Sequence, residues 1–289
     1  MAEKGADNRK EKTSHRIRYG SLIVMLAVLI LGIVYLHGMV QRSEEKAPAS
    51  QSETPGAGQE TTILESIEDL KAGQILDAAS LDLNDPDKYF TSSQLTEEQK
   101  EDMKGKSYID NPDISYDDLS CLKVLHYNYE HEIQVGEIVV NTKVAEDCQI
   151  FLELFQEGYE IHSMYRIDRF YGDDTTRDAE QADIDSINQD NTSAFHYRKI
   201  AGTNVTSEHA YGMAIDINPL ENPYVPANDV TAAGASPYLQ YDLYKDRSNL
   251  RPHMITHEDI CYQIFTRHGF TWGGDWKGTK DYQHFEKEM

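Results

Sequence analysis

The sequence predicts an α+β domain, built on a small antiparallel sheet with flanking helices, that follows one N-terminal transmembrane helix. The transmembrane helix is indicated by an uninterrupted apolar run at residues 19–40. The sheet is indicated by segments in which apolar and polar residues alternate, and the flanking helices by apolar residues at helical spacing. With 289 residues, of which 39% are hydrophobic, the chain is long enough for one sizeable domain with extensions.

The apolar run from Tyr19 to Val40 comprises 22 residues and contains no Asp, Glu, Lys or Arg. About 20 apolar residues suffice to cross the hydrocarbon core of a bilayer. Residues 1–18 carry six basic against three acidic side chains, so the positive-inside tendency predicts a cytoplasmic tail and an extracytoplasmic domain. A cleaved signal peptide is the alternative, but the run is long for a signal core and no small-x-small cleavage site directly follows it. The sequence therefore predicts a single-pass protein of the cell membrane.

After the apolar run, the composition up to about residue 62 is rich in Ser, Glu, Gln, Pro, Ala and Gly, which is typical of a flexible linker. Spaced apolar residues from Ile63 to Leu83 indicate one or two short helices, and their charged content makes them peripheral. We therefore assign residues 41–85 to an extracytoplasmic linker with peripheral helices and residues 86–289 to the folded domain.

Periodicity within the domain predicts its individual elements. Residues 213–218 alternate strictly, with Ile215 and Ile217 on one face of the strand and Asp216 on the other. The remaining predicted elements are strands at 137–141, 160–164 and 282–286 and helices at 144–157 and 259–268.

Charge and composition exclude several functional classes. The formal net charge of −23 argues against nucleic acid or an anionic membrane face as the main partner, because like charges repel. The sequence has no glycine-rich phosphate loop, no G-x-S-x-G elbow and no HExxH motif, so nucleotide binding, serine hydrolysis and that class of zinc peptidase lack support. The three cysteines, Cys121, Cys148 and Cys261, leave open one disulfide bridge or three buried thiols.

His209 and Asp216 are candidate metal ligands, one at the entrance of the alternating strand and one within it. A carboxylate buried in a strand costs several kcal/mol unless it is paired or bound to a metal. Zinc accepts imidazole nitrogen and carboxylate oxygen, and a catalytic site uses three protein ligands with a fourth position for water. His284, in the last predicted strand, is the third candidate. Spacing alone leaves a structural role open for each of them.

Ordered motifs run through the C-terminal half of the chain. The first is S-x-H-x-x-G-x-A-x-D from Ser207 to Asp216, and the last is D-x-x-H-F from Asp281 to Phe285. Further matching segments lie at 191–198, 216–224 and 269–276. Together they resemble the LAS metallopeptidases over roughly residues 105–289, specifically the VanY-like D-alanyl-D-alanine carboxypeptidase branch. This group also includes L-alanyl-D-glutamate peptidases.

The resemblance implies a LAS-type domain in which His209, Asp216 and His284 bind zinc. It also implies that Asp281, three residues before the last histidine, acts as the general base. A carboxylate beside a zinc-activated water can take its proton and pass it to the leaving amine. Some relatives have a glutamate at this position, so the aspartate here implies a shorter reach.

The resemblance places an arginine for substrate binding and catalysis at Arg198. A guanidinium can hold a carboxylate or a polarised carbonyl through two parallel hydrogen bonds. Arg166 and Arg169 are the rival candidates. Ser207 is predicted to contact substrate or to orient His209, with turn capping as the alternative. Trp276 is predicted to line the cleft, with a core position as the alternative.

The activity implied by the resemblance is hydrolysis of an amide in the peptidoglycan stem peptide, with Zn²⁺ as the cofactor. Removal of terminal D-alanine is the leading reaction, and cleavage between L-alanine and D-glutamate is the alternative because the two share these motifs. A non-catalytic domain that binds wall peptide is an alternative of a different class. Its signature would be a lost ligand or base, whereas all four positions are filled here.

Overall fold

A computed structural model of the protein describes residues 62–172, 178–200, 202–227 and 241–288. The strands are β1 (Ile75–Leu76), β2 (Thr91–Gln94), β3 (Leu119–Tyr127), β4 (Ile133–Asn141), β5 (Ser163–Met164), β6 (Asn191–Thr192), β7 (Ala214–Asp216), β8 (Tyr224–Val225), β9 (Thr271–Trp272), β10 (Lys280–Asp281) and β11 (His284–Glu286). The α-helices are α1 (Glu97–Met103), α2 (Cys148–Gln156), α3 (Ala179–Asn188), α4 (Tyr241–Tyr244) and α5 (Ile260–Arg267).

The predicted transmembrane span, residues 19–40, lies outside the described residues. The cytoplasmic tail predicted for residues 1–18 and most of the predicted linker also lie outside them. Among the residues that the structure does describe, no helix combines the length and the apolar character needed to cross a bilayer.

The largest sheet is antiparallel, with the strand order β1-β4-β3-β2. Its centre is the hairpin of β3 and β4, which pair from Leu119 opposite Asn141 to Tyr127 opposite Ile133. The predicted strand at 137–141 is confirmed as the final part of β4. The hairpin has the two longest strands among the described residues, and its Asn141 end contacts the turn that carries His209.

Two helices cover the hydrophobic core beside this hairpin. Helix α2 packs against β3 and contributes the buried side chains Ile150 and Phe151, which confirms the helix predicted at 144–157 with a 3-10 turn at its start. Helix α5 packs beside α2 and confirms the helix predicted at 259–268. It begins at Asp259, whose carboxylate accepts a hydrogen bond from the first turn.

Three smaller sheets carry the C-terminal half: antiparallel β7-β11-β9, antiparallel β8-β10 and parallel β5-β6. The strand predicted at 213–218 is confirmed in its middle part as β7, the one predicted at 282–286 is confirmed in its last three residues as β11, and the one predicted at 160–164 is reduced to β5. Strand β7 is short because Gly212 and Asn218, on its two sides, both have positive φ. The predicted α+β class is confirmed, with several small sheets in place of one.

The segment Ile63–Leu83, predicted as one or two short helices, contains strand β1 and a 3-10 turn instead. Its Ile67 side chain is fully buried in the main core. The Lys123 ammonium donates to the backbone carbonyls of Glu68 at 2.6 Å and of Leu70 at 2.9 Å. Contacts with the sheet, rather than a helical pattern of apolar residues, therefore determine the structure of this segment.

All three cysteines, Cys121, Cys148 and Cys261, are free and buried. Cys148 and Cys261 belong to the main hydrophobic core, and Cys121 belongs to a smaller one on the other side of β3 and β4. Of the two alternatives that the sequence leaves open, the structure therefore contains three buried thiols and no disulfide bridge.

Gly212 joins the end of the central hairpin to the turn that carries His209. The Asn141 backbone N–H donates to the Gly212 carbonyl oxygen at 2.8 Å, and the Asn141 side-chain amide donates to the Tyr211 carbonyl oxygen at 2.9 Å. The φ of Gly212 is +67°, and a Cβ there would lie 2.6 Å from the Asn141 nitrogen. Glycine is therefore required at this position for both conformation and space.

Replacing Gly212 with alanine should lower the free energy of unfolding by about 3 kcal/mol, since a left-handed residue costs about 1–2 kcal/mol and the contact with Asn141 adds to it. Urea denaturation followed by circular dichroism measures the change. Gly105→Ala is the matched control, because Gly105 has a φ of +72° but open space around its Cβ position. Equal losses in the two variants would contradict the importance of the close contact.

Candidate metal centre

His209 lies in a 3-10 turn, Glu208–Tyr211, immediately before β7. The turn begins at Ser207, whose hydroxyl accepts a hydrogen bond from the His209 backbone N–H at 3.3 Å. The His209 Nδ1 lies 2.7 Å from the carbonyl oxygen of Ala194. Because a carbonyl oxygen only accepts, Nδ1 carries the proton and Nε2 presents its lone pair to the interior.

Asp216 ends β7 and His284 begins β11, and the two residues are direct partners in the antiparallel register. Such partners place their side chains together on one face of a sheet. The His284 Nδ1 lies 3.0 Å from Asp216 Oδ1, and the His209 Nε2 lies 3.2 Å from Asp216 Oδ2. The three residues are 4–8% exposed, and their ligand atoms all lie within 4.8 Å of one another. The structure thus brings the three predicted ligands together.

The ligand cluster is arranged to hold positive charge. The His209 Nε2 and the His284 Nδ1 lie 3.2 Å apart, a distance at which two unprotonated nitrogens repel unless a proton or a cation lies between them. Burial opposes the charged form of His284, yet hydrogen bonds with Asp216 and Glu286 raise its pKa to about 10. Burial alone would raise the pKa of Asp216, but the two histidines hold it well below its usual range. Two imidazoles and one carboxylate are a donor set that fits zinc.

Glu286 contacts His284 on the side away from the cluster, with its Oε2 3.2 Å from the ring Nε2. A carboxylate accepts this hydrogen bond, so Nε2 carries a proton, and Nδ1 is the nitrogen that can bind a metal once its own proton is lost. The sequence reasoning missed Glu286. A signal was present, because residues two apart in a strand lie on the same face.

Replacing Glu286 with glutamine should weaken zinc binding by about 10–100-fold, because the amide keeps the shape but loses the charge that strengthens the imidazole as a ligand. Titration of the metal-free protein with zinc against a competing chelator measures the affinity. Glu288→Gln, an exposed residue on the same terminal segment, is the control. Unchanged zinc affinity in Glu286→Gln would show that the contact does not orient His284.

Asp281 lies in β10, opposite Tyr224 of β8. Burial and the negative charge of Asp216 raise the pKa of Asp281 to about 8. Its Oδ1 is buried and has no hydrogen-bond partner among the described residues. Gly273 permits this placement, because a Cβ there would lie 2.6 Å from the Asp281 backbone oxygen. A carboxyl group with a pKa near neutrality, beside the ligand cluster, is suited to exchanging a proton during a reaction.

Arg198 has a mostly buried side chain, 19% exposed, and its Nη2 lies 2.6 Å from Asp183 Oδ2. Its positive charge opposes the rise in the Asp281 pKa that burial causes, so the two side chains interact electrostatically. The sequence reasoning did not identify Asp183.

The rival arginines are placed differently. Arg166 Nη atoms lie within 3.3 Å of carboxylate oxygens of three residues, Asp102, Glu137 and Asp168. The Arg169 guanidinium stacks on the Tyr165 ring at 4.0 Å. Both line a cavity of about 760 Å³ whose lining includes none of the three predicted ligands. The structure therefore favours Arg198 as the arginine associated with the ligand cluster.

Ser207 and Trp276 lie next to the ligand cluster in different ways. Ser207 is 5% exposed and caps the turn of His209. The Trp276 ring is half-buried, with its centroid 5.3 Å from that of His284, whereas Trp272 is buried and donates to the Tyr282 carbonyl oxygen. A contact of Ser207 or Trp276 with substrate stays a prediction.

Two asparagines of the motif that follows Asp216 are structural. Asn218 and Asn222 are fully buried. The Asn218 Oδ1 accepts from the His162 backbone N–H at 3.1 Å, and the Asn222 Oδ1 accepts from the Ile255 backbone N–H at 2.7 Å. These hydrogen bonds connect the segment after β7 to neighbouring loops and thereby hold the strand that carries Asp216 in position.

Residues 201–287 match the model of a peptidase family described as D-alanyl-D-alanine carboxypeptidase. The matched segment contains His209, Asp216, Asp281 and His284, and Arg198 lies just before it. No curated protein and no solved structure matched the chain. The predicted resemblance to the VanY-like branch of the LAS metallopeptidases is confirmed over these residues.

Proposed function

We propose that this protein is a zinc carboxypeptidase that removes the terminal D-alanine from peptidoglycan stem peptides. The observation that carries the proposal is the convergence of three buried ligand atoms within 4.8 Å, beside a carboxyl group with a raised pKa. The family match supports peptide hydrolysis. The choice of zinc rests on the donor set, and the choice of bond rests on the family description together with an arginine beside the site.

Zinc held by His209, Asp216 and His284 would supply a Lewis acid at the scissile carbonyl and would acidify a water molecule. Asp281 accepts a proton from the attacking water and delivers it to the leaving amine. Arg198 receives the terminal carboxylate of the peptide through charge-assisted hydrogen bonds. A carboxypeptidase requires such a cation, because its substrate ends in a negative charge.

The test is incubation of the purified full-length protein with a defined pentapeptide stem, followed by mass spectrometry of the products and measurement of zinc. Loss of one alanine, with about one zinc per chain, is the expected result. Release of the whole tail after L-alanine would assign the endopeptidase activity instead. Bound zinc without any product would favour a peptide-binding domain, and the absence of near-stoichiometric zinc at neutral pH would contradict a zinc enzyme.

We further propose that residues 19–40 anchor the protein in the cell membrane, with the peptidase domain outside the cytoplasm. The charge-free apolar run and the basic residues before it support this location. Cell fractionation should recover the intact chain with membranes, and protease added outside the membrane should remove the domain. Recovery of an N-terminally shortened chain in the soluble fraction would support a cleaved signal peptide instead.

A further inference from the structure

Four polar side chains form a continuous chain of contacts that ends at Arg198. The Tyr171 hydroxyl lies 2.9 Å from His196 Nε2, and His196 Nδ1 lies 3.1 Å from Asp183 Oδ1. The other oxygen of Asp183, Oδ2, lies 2.6 Å from Arg198 Nη2. Of these four residues only Arg198 has an assigned role, although His196 lies in the same matching segment, 191–198.

The direction of every hydrogen bond in this chain is determined. An ionised carboxylate only accepts, so the His196 Nδ1 must carry a proton and donate it to Asp183. The His196 Nε2 then has a lone pair, which accepts from the Tyr171 hydroxyl. Tyr171 and His196 are 4% and 1% exposed, so these groups are fixed inside the protein before any ligand binds.

This series of four side chains is also connected to the ligand cluster through a backbone hydrogen bond. The His196 N–H donates to the His209 carbonyl oxygen at 3.0 Å. Asp183 lies on helix α3, which is mostly polar and buries little besides Ala182 and Ser186. Helix α3 thus supplies the carboxylate that contacts the guanidinium which the proposed function assigns to substrate.

An arginine side chain carries about 2 kcal/mol of rotamer entropy, which is lost when it is fixed on a ligand. When another contact already fixes the side chain, this cost no longer weakens substrate binding. A partner that merely neutralised the guanidinium would have the opposite effect and would reduce its attraction for a carboxylate. Asp183 is itself held by His196, and His196 by Tyr171. A carboxylate held in this way favours fixation of the Arg198 guanidinium over neutralisation of its charge.

We infer that Asp183 is a positioning residue which, supported by His196 and Tyr171, holds the Arg198 guanidinium in the orientation that receives a peptide's C-terminal carboxylate. The inference rests on the proposed function, because that function makes Arg198 the contact for the carboxylate. It extends that function to a partly buried group which does not itself touch substrate.

Asp183→Asn tests the inference, because the amide keeps the size of the side chain but loses the negative charge that strengthens its hydrogen bond with the guanidinium. We expect the KM of the full-length protein for the pentapeptide to rise roughly 10-fold, with kcat changed by less than about twofold, since ground-state binding is lost. Zinc content should not change. A pentapeptide with an amidated C-terminus should be unaffected by the substitution. Glu180→Gln, which removes an exposed charge from the same helix, is the matched control.

A double-mutant cycle separates positioning from general stability. In the Arg198→Ala background, Asp183→Asn should cause no further rise in KM, because the residue acts through the guanidinium. Additive losses, or an equal loss with the amidated peptide, would show that Asp183 only stabilises the fold and would overturn the inference. A lower KM in Asp183→Asn would also overturn it, since neutralisation would then be the effect of the pair.

Turnover of the unsubstituted protein distinguishes a failure of the proposed function from a failure of the inference about Asp183. If that protein does not hydrolyse the pentapeptide, calorimetric titration with the same peptide decides the inference. Binding that weakens about 10-fold in Asp183→Asn, but not in Glu180→Gln, would support it. Equal affinity in both, or no binding to the unsubstituted protein, would overturn it.

Discussion

Replacing His284 with alanine is expected to reduce the zinc content of the purified protein from about one ion per chain to almost none and to abolish hydrolysis. Two ligands would remain, which is fewer than the three that a catalytic zinc site uses. The substitution also removes the 3.0 Å contact with Asp216 and leaves a buried carboxylate with one fewer partner. Loss of one member of a buried charge pair typically costs about 3–5 kcal/mol, so the unfolding midpoint should fall as well.

Elemental analysis and the pentapeptide assay measure the two main effects. His257→Ala is the control for loss of an imidazole, because the His257 side chain is 60% exposed and pairs with Asp275 rather than with the cluster. It should retain zinc and activity. A His284→Ala protein with full zinc content would remove His284 from the ligand set. Unfolding curves for both variants show whether zinc loss follows from misfolding or from the missing ligand.

Replacing Asp281 with asparagine is expected to leave zinc binding intact and to lower kcat by about 10²–10⁴-fold, the usual contribution of a general acid–base residue. Asparagine matches aspartate in size but cannot take up a proton. Because the Asp281 Oδ1 has no hydrogen-bond partner among the described residues, the amide should also fit without breaking a contact of that atom. The substitution thereby isolates proton transfer from folding.

Steady-state kinetics together with zinc analysis give the outcome. Asp275→Asn, an exposed aspartate six residues earlier with a side chain 48% exposed, is the matched control and should turn over normally. Full turnover of Asp281→Asn would exclude it as the base. Loss of zinc in that variant would instead make Asp281 a ligand.

The parts of the fold that could be predicted are those whose own side chains show a clear period. Alternation located β7, and helical spacing located α2 and α5. Strand β3 was not predicted, because it is buried on both faces and therefore shows no alternation. Helix α3 was not predicted either, since its sequence lacks an apolar stripe and its burial is limited to two small residues.

The same distinction applies to the site. The sequence indicated Asp216 and His284 through their places in strands, and the register between β7 and β11 then made them neighbours. Asp183 carried no such signal, because its importance depends on a contact with Arg198 that only the folded chain creates. Glu286 lies between these cases: its spacing from His284 was visible, but nothing in the sequence indicated which ring nitrogen would face it.

The short strand β1 has a consequence for the solubility of the domain. It covers the outer edge of β4, pairing Leu76 with Ile133, and the Gly73 N–H extends this cover to the Val135 carbonyl at 2.7 Å. A chain begun at residue 86, the boundary that composition suggests, would leave these edge groups open to pairing with another molecule. Unprotected strand edges promote aggregation. The segment before residue 86, which the sequence assigns to a linker with peripheral helices, therefore covers a strand edge that would otherwise be open to pairing between two copies of the domain.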